Sequence, residues 1–383
     1  MRIVKVSNAF PPFLEHGGAP RTVAAFATAL AQRGHNVKVL TIAHDRRHGP
    51  LPTHNGGVTI NYVRPLVSYR SLALNPAMPS ARRLVTGCDV VHIYGLYDLL
   101  GPSAARECRR QGIPYILEPM GMHRPIVRSL RKKRAYQRMF GRTLVGGAAR
   151  VIATSAFERD QLAADGVPTE KLVLRRNVVD TSEAREHVEA GSFRRALNLG
   201  PEDPIVLYFG RITRKKRPDL LLEAVAAVPV GCRLVFAGPD EDDCGRALEA
   251  RAAALGITDR VSFTGPLYAS AKASALQDSD VFALPSESEN YGNAVVEAMA
   301  VGTPVVISDR CGVAPHVDGR AGIVVPVNAE AVANALERLL VDEQLRRRLS
   351  EEGPVVSAEL ASADDPLGQL EETYREVVAE RRS

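Results

Sequence analysis

The sequence predicts an α/β protein built from two doubly wound parallel-sheet domains. Its 383 residues exceed what one hydrophobic core usually serves. Short apolar, β-branched runs alternate with segments of helical periodicity through both halves, the pattern of strand–helix–strand units. The alternation is broken once, by the polar run 181–203, which reads as a linker.

The first half opens with a buried strand over 3–7. Next come the turn Asn8-Ala9-Phe10-Pro11-Pro12 and the segment Glu15-His16-Gly17-Gly18-Ala19-Pro20. Residues 22–33 form a helix with Val23, Phe26, Ala27 and Leu30 on one face, stopped by Gly34. Strands follow at 37–42, 58–63, 89–93, 114–118, 149–155 and 172–174. Between them, 124–142 reads as an amphipathic helix: Arg128, Arg131, Lys132, Lys133, Arg134 and Arg138 surround Ile126, Val127, Leu130, Tyr136, Met139 and Phe140. Such a helix suits either solvent or an anionic membrane surface.

The second half restarts with a strand at 205–209, running into Gly210-Arg211-Ile212-Thr213-Arg214-Lys215-Lys216. Helices at 218–227, 245–255 and 270–276 alternate with strands at 234–237 and 261–264. After Ala329 the pattern is helical to the end.

Composition is that of an ordinary soluble globular protein, with 45% hydrophobic and 24% charged residues. A net charge of +5 suits an anionic substrate or membrane surface and is too weak to argue for nucleic acid. Aromatics are scarce and tryptophan is absent, which disfavours base-stacking platforms. The five cysteines lack CxxC spacing, the pattern of reduced thiols rather than of a zinc site. The start, Met1-Arg2-Ile3-Val4, reads as a strand rather than a signal peptide, and no apolar run suffices to span a bilayer. A cytoplasmic protein is expected, with peripheral contact at the inner face of the cell membrane allowed by 124–142. The first βαβ unit lacks G-x-G-x-x-G, so a nicotinamide enzyme is disfavoured.

The densest signal is LPSESENYGNAVVEAMAVGTPVV, from Leu284 to Val306. An apolar strand closed by Pro285 leads into a polar loop. A helix over 291–300 carries Ala294, Val295, Ala298 and Met299, Gly302-Thr303-Pro304 ends it, and another strand begins. This places the loop at the carboxyl edge of a parallel sheet, where open α/β sheets bind ligands. Glu289 lies in the loop and Glu297 two turns into the helix. Either glutamate alone would read as an ordinary surface charge.

Together with their neighbours they do not. The span from Glu289 through Glu297 to Val306 resembles the E-x7-E element of glycosyltransferase family 4, over about twenty consecutive positions. Arg211 and Lys216 match that family's R-x4-K spacing. Arg176-Asn177-Val178-Val179-Asp180 is similar to its N-G-V-D segment, with Val178 in place of glycine. The resemblance is dense in the second half and sparse in the first.

It implies the GT-B fold, with two Rossmann-like domains facing a central cleft: 1–180 on the acceptor side, 181–362 binding nucleotide-sugar, and a final helix over 363–383 crossing back. It also implies retaining transfer from a UDP- or GDP-sugar to a saccharide or lipid-linked hydroxyl, in cell-surface polysaccharide or glycolipid synthesis. Arg211 and Lys216 would grip the diphosphate, and Glu289 the donor sugar. Glu297 would take the ribose, with the amides of Asn290, Tyr291 and Gly292 near the sugar and phosphates. Gly17 and Gly18 would belong to a glycine-rich loop closing on the diphosphate. Many family members carry a histidine where this chain has Met120, and His92 and His123 are the candidates to replace it on the acceptor or sugar side.

Asp278-Ser279-Asp280 is similar to the metal-binding D-x-D of the other large glycosyltransferase fold, but it enters a strand instead of leaving one. Asp240-Glu241-Asp242-Asp243 reads as a solvated acidic loop. Neither metal nor cofactor is expected, and nucleic acid is not expected as a partner. Two other readings stand beside transfer: a GT-B epimerase acting on the nucleotide-sugar, and a nucleotide-sugar-binding protein without catalysis. Paired carboxylates would also suit a glycoside hydrolase, which the adjoining cations disfavour.

Overall fold

The computed structural model describes residues 1–13, 18–43, 51–64, 67–69, 72–74, 77–126, 129–177, 179–241, 243–362 and 365–382. The chain divides into two compact units, Met1–Asn177 with Asp365–Ser383, and Val178–Asp364. Gly17, Val127, Arg128, Val178 and Asp242, singled out above, lie outside the described residues.

The first unit contains β1 (Arg2–Ser7), β2 (Asn36–Ile42), β3 (His54–Asn55), β4 (Val58–Val63), β5 (Val67–Tyr69), β6 (Leu72–Leu74), β7 (Val90–Tyr94), β8 (Tyr115–Glu118), β9 (Arg150–Ala153) and β10 (Leu172–Leu174). Eight of these form one sheet in the order β10-β9-β8-β7-β1-β2-β4-β3, and β5 pairs with β6. The pairs are parallel except β3–β4 and β5–β6, which are antiparallel. Alternation along β1 divides the core. Ile3 packs with the helix Gly18–Gln32 and the final helix Pro366–Arg382, through Val23, Phe26, Leu30, Leu370 and Tyr374. Val4 and Val6 pack with the helices Ala77–Val85 and Leu100–Gln111, through Ala81, Leu84, Leu100 and Ala104.

The face holding Ile3 also holds a buried polar cluster. Lys5 Nζ donates to the Tyr94 hydroxyl at 2.5 Å, and Arg175 Nη2 to Glu118 Oε1 at 2.7 Å. His92 lies between them, its Nδ1 2.8 Å from the Tyr374 hydroxyl and its Nε2 3.3 Å from Glu118 Oε2. All of these side chains are buried. Burial pushes the Lys5 ammonium down to about 7, helped by Arg175 and opposed by Glu118. Burial likewise lowers the His92 imidazole to about 4, although Glu118 pulls the other way. Glu118 is pushed up by desolvation, but Arg175, His92 and Lys5 more than offset this and hold it below its ordinary range. The expectation that His92 could face substrate is therefore corrected. Its ring is enclosed between strand and helix, with both nitrogens facing protein groups.

The second unit contains β11 (Ile205–Phe209), β12 (Arg233–Ala237), β13 (Val261–Gly265), β14 (Val281–Leu284), β15 (Val305–Ser308) and β16 (Gly322–Val325). They form a fully parallel sheet in the order β13-β12-β11-β14-β15-β16. The order runs one way from β11 to β13 and the other way from β14 to β16. The topological switch therefore falls between β11 and β14, where ligands gather in such sheets.

Two expectations change. The run 181–203 is not a linker, because it packs into the second unit. Ala184 and Phe193 are buried in that unit's core, and a short helix spans Ser192–Ala196. Asp278 accepts from the Gly191 and Phe193 amides at 2.8 and 2.7 Å, and Asp280 from Arg194 Nη2 and the Ile205 amide at 2.7 and 2.8 Å. The D-x-D residues thus pin this segment to the sheet. The segment 124–142 is not one helix either. It is helical from Leu130 to Tyr136, widens to a π-turn over Gln137–Gly141 and resumes over Arg142–Gly146.

The buried cluster sets a pH dependence. His92 stays neutral when folded down to about pH 4, whereas an unfolded imidazole protonates near pH 6.5. Its contribution is present above pH 6.5 and is lost as pH falls toward 4. The interval corresponds to ~3 kcal/mol. Hydrogen-exchange protection of the β7 amides should fall over this range, and His92→Gln should flatten that part of the decline.

Candidate active site

The loops after β11 and β14 lie side by side because their strands pair directly. Glu287 N–H donates to the Lys215 carbonyl at 2.9 Å, tying one loop to the other. From behind, residues 310–313 run along the second loop like an added strand. Glu289 donates its amide to the Arg310 carbonyl and accepts from the Gly312 amide, both at 2.9 Å. The Tyr291 carbonyl accepts from the Val313 amide at 3.1 Å. The loop is therefore held on both sides before any side chain is considered.

Lys216 Nζ reaches Glu289 Oε2 across the switch point at 3.1 Å. Gly210 permits this approach. It sits at φ 137°, and a Cβ there would stand 2.9 Å from Lys216 Nζ. Desolvation pushes the Glu289 carboxyl up, but Lys216, Lys215 and Arg211 together hold it below the usual carboxylate range. Arg211 Nη1 meets Glu241 Oε1 at 2.8 Å, a half-exposed pair that contributes on the order of 1 kcal/mol or less. Its backbone is fixed more firmly, since the buried Tyr208 hydroxyl donates to the Arg211 carbonyl at 2.8 Å. Arg217 lies 3.5 Å from Glu287 and 3.1 Å from Asp219.

Gly292 makes the turn into the helix Asn293–Ala300. Its φ is 100°, and a Cβ would come within 2.8 Å of Cys311 Sγ. The first-turn amides of that helix, with the adjoining backbone, suit an electron-rich ligand. Tyr291 buries its ring in the core, so its side chain is structural. Glu297, within this helix, receives Lys272 Nζ at 2.9 Å, and Lys272 also reaches Glu183 Oε2 at 3.2 Å.

The structure thus brings Arg211, Lys216, Glu289, Asn290, Tyr291, Gly292 and Glu297 onto adjacent loops and one helix of the second unit. Gly18 begins the first unit's helix Gly18–Gln32. His123, also in that unit, is partly buried, with Nε2 3.4 Å from Asp165. Burial lowers its imidazole, opposed by Asp165 and helped by Arg124. Met120 takes φ 54° and Gly121 φ 73°, and the Gly121 amide donates to the buried Glu158 carboxylate at 2.5 Å. Lys272, Glu183, Glu158 and Gly210 were not singled out in the sequence. Gly210 had a signal, a glycine between an apolar strand and a basic loop. Lys272 had none.

Two doubly wound parallel sheets, with cations and carboxylates meeting at the switch point of the second, are the architecture of the GT-B fold. Sucrose-phosphate synthase from Thermosynechococcus elongatus shares the fold with a TM-score of 0.82, at 23% identity over 99% of both chains. HepE from Anabaena, solved in complex with UDP and glucose, gives 0.78 at 19% identity over 98% of this chain and all of its own. Residues 190–355 match the glycosyl transferases group 1 family and 17–177 the glycosyl transferase 4-like domain. A D-inositol 3-phosphate glycosyltransferase of Actinosynnema mirum is 30% identical over 365 residues, 87% of this chain and 86% of the relative. The chain belongs to glycosyltransferase family 4, enzymes that transfer a sugar from a nucleotide-sugar.

The Lys216–Glu289 contact has a measurable consequence. Glu289 remains ionised in acid because of its cationic neighbours, and loses that charge only as pH falls through its lowered value. Lys216→Met leaves desolvation less opposed. The Glu289 carboxyl should then titrate at higher pH than in wild type, which carbon-13 NMR of labelled glutamate side chains would detect.

Proposed function

We propose that this protein is a retaining, metal-independent hexosyltransferase. It would move a sugar from a UDP- or GDP-sugar to a hydroxyl of a saccharide or lipid-linked acceptor, in cell-surface polysaccharide or glycolipid synthesis. The observation that carries this reading is the meeting of Arg211, Lys216 and Glu289 at the switch point between β11 and β14. UDP is favoured among donors by the solved complex of HepE. A hydroxyl acceptor on a small phosphorylated molecule agrees with the name of the Actinosynnema relative, a D-inositol 3-phosphate glycosyltransferase.

As the bond from the anomeric carbon to the diphosphate oxygen lengthens, negative charge grows on the leaving group. Fixed cations aimed at it lower the barrier, because they interact more strongly with the transition state than with bound substrate. Arg211 and Lys216 are assigned that task, Arg211 as a planar fork and Lys216 as a point charge. The amides near Gly292 and the start of the following helix add donors of fixed direction. Glu289, kept ionised by the same cations, accepts from hydroxyls of the transferred sugar, and Glu297 accepts from the ribose hydroxyls. Gly17 and Gly18 are assigned to the diphosphate side. His123 is the histidine left with an exposed edge for the acceptor or sugar.

Side-chain cations would make a divalent ion unnecessary. Asp278 and Asp280 are already engaged with backbone amides and Arg194. Transfer by the wild type should therefore continue in excess EDTA. Under the same conditions Arg211→Ala and Lys216→Ala should each lower turnover by about a hundredfold, from loss of ~3 kcal/mol of transition-state stabilisation. Activity within twofold of wild type in both variants, or abolition by chelator with rescue by magnesium, would overturn the assignment.

No helix among the described residues is long and apolar enough to cross a membrane. Peripheral contact is assigned to the segment 124–142 on the inner face. There Met139 stands 67% exposed on a turn that also carries Arg138, after the basic helix Leu130–Tyr136. Apolar and cationic groups together favour anionic lipid surfaces. The protein should co-sediment with phosphatidylglycerol vesicles and not with phosphatidylcholine ones. Replacing Arg134, Arg138 and Met139 by Ser should abolish that binding while leaving turnover on a soluble acceptor intact.

A further inference from the structure

Three cations of the loop after β11 are each matched by a carboxylate. Lys216 faces Glu289 at 3.1 Å, Arg217 faces Asp219 and Glu287, and Arg211 Nη1 meets Glu241 Oε1 at 2.8 Å. The Arg211 and Glu241 side chains are 42% and 36% exposed, yet the main chain builds their pairing. Beyond β11 and β12 the two loops run in contact. The Ile212 amide donates to the Pro239 carbonyl at 2.9 Å, and the Glu241 amide to the Ile212 carbonyl at 3.1 Å. Ile212 is itself buried, so Arg211 and Glu241 are carried side by side on a fixed backbone. Other acids of this loop are engaged elsewhere. Asp240 accepts from the Gly245 amide at 3.0 Å, and Asp243 lies 3.2 Å from Arg246 Nη2.

We infer that Glu241 is a displaceable counter-ion of Arg211, and that donor binding exchanges its carboxylate for the diphosphate. The inference rests on the diphosphate role proposed for Arg211. Carboxylate and phosphate oxygens compete for the same guanidinium donors. A carboxylate left in contact would cancel much of the arginine's field at the leaving group and would repel a ligand of its own sign. Exchange removes both effects. It costs little, because a half-exposed ion pair is weak and Glu241 returns to water. Bonds from arginine to phosphate are charge-assisted and can be bidentate, so the diphosphate prevails. Glu241 thereby sets donor affinity without touching the donor.

The test is calorimetric titration of UDP and GDP, which present the same diphosphate, into wild type, Glu241→Gln, Arg211→Ala and the double variant. The nucleotide that binds wild type more tightly carries the comparison. Glu241→Gln is expected to bind it about fivefold more tightly than wild type, and added salt should shrink the gain by screening the pair. Its donor KM should fall by the same factor, with kcat at saturating donor within about twofold of wild type. In the Arg211→Ala background the same substitution should leave affinity nearly unchanged, because no guanidinium remains to be released. Where Arg211→Ala binds too weakly to titrate, the same cycle in donor kcat/KM reads the coupling.

Unchanged binding in Glu241→Gln would overturn the inference. So would weakened binding, which would mark Glu241 as a group that orients Arg211. An equal gain in the Arg211→Ala background would also overturn it, since the acidic loop would then act as a general field. If Glu241→Gln does not fold, Glu241→Ala carries the same comparison. Failure of the underlying reading looks different. If neither nucleotide binds wild type, or if Arg211→Ala binds as tightly as wild type, Arg211 does not hold the diphosphate, and the inference falls with that role.

Discussion

The contact between Lys216 and Glu289 is the constraint on which the candidate site depends. It closes the gap between two strands distant in sequence but adjacent in the sheet, and it does so with opposite charges in a partly desolvated place. Several features follow from the need to make it. Gly210 takes a φ of 137°, which L side chains rarely adopt, and leaves room beside the lysine, whose Nζ would stand 2.9 Å from a Cβ there. The chain must turn sharply after Lys216, and Arg217 does so with a φ of 50° before Pro218 starts the next helix. Glu289 must be braced from behind, and the strand-like run 310–313 braces it. An isolated surface pair of this kind is worth little. Here the backbone holds both partners in place, so little side-chain freedom remains to be lost.

The two units handle buried charge differently, and the contrast bears on function. In the first unit Lys5, His92, Glu118 and Arg175 are sealed in, with Tyr94 and Tyr374 over them. Desolvation there is strong enough to push Lys5 and His92 toward neutrality. In the second unit Lys216 and Glu289 remain partly open, with side chains 17% and 20% exposed. A sealed cluster cannot meet a ligand, and it makes stability depend on pH. A half-open one can exchange partners with a ligand. Similar residue types thus differ between the two sheets in access, sealed in the first and partly open in the second.

Much of the fold was legible in the chain, because strand and helix periods are local. The apolar runs at 205–209, 234–237 and 305–307 fall on strands within a residue or so. The glutamate loop was legible because its residues are contiguous. What could not be read is what depends on distance. His92 sits in an apolar run, where its alternatives look alike, and its enclosing partner Tyr374 lies 282 positions away. Lys272 is a single lysine among alanines and serines, and only the folded chain brings Glu183 and Glu297 to it. The run 181–203 is polar enough to read as a linker, yet Ala184 and Phe193 suffice to anchor it. Composition averages over a segment, whereas packing is decided by one or two side chains.

The five cysteines are all free and buried, Cys88 and Cys108 in the first unit and Cys232, Cys244 and Cys311 in the second. Burial pushes the Cys88 and Cys311 thiols up to about 12 and raises Cys108 and Cys232 as well. Since the thiolate is the reactive form, a thiol reagent meets almost no nucleophile at these four sites of the folded chain. Modification then waits for the surrounding structure to open. Each unit so carries its own clock: the speed at which its cysteines acquire a label measures how often that unit breathes, without any probe being engineered into it.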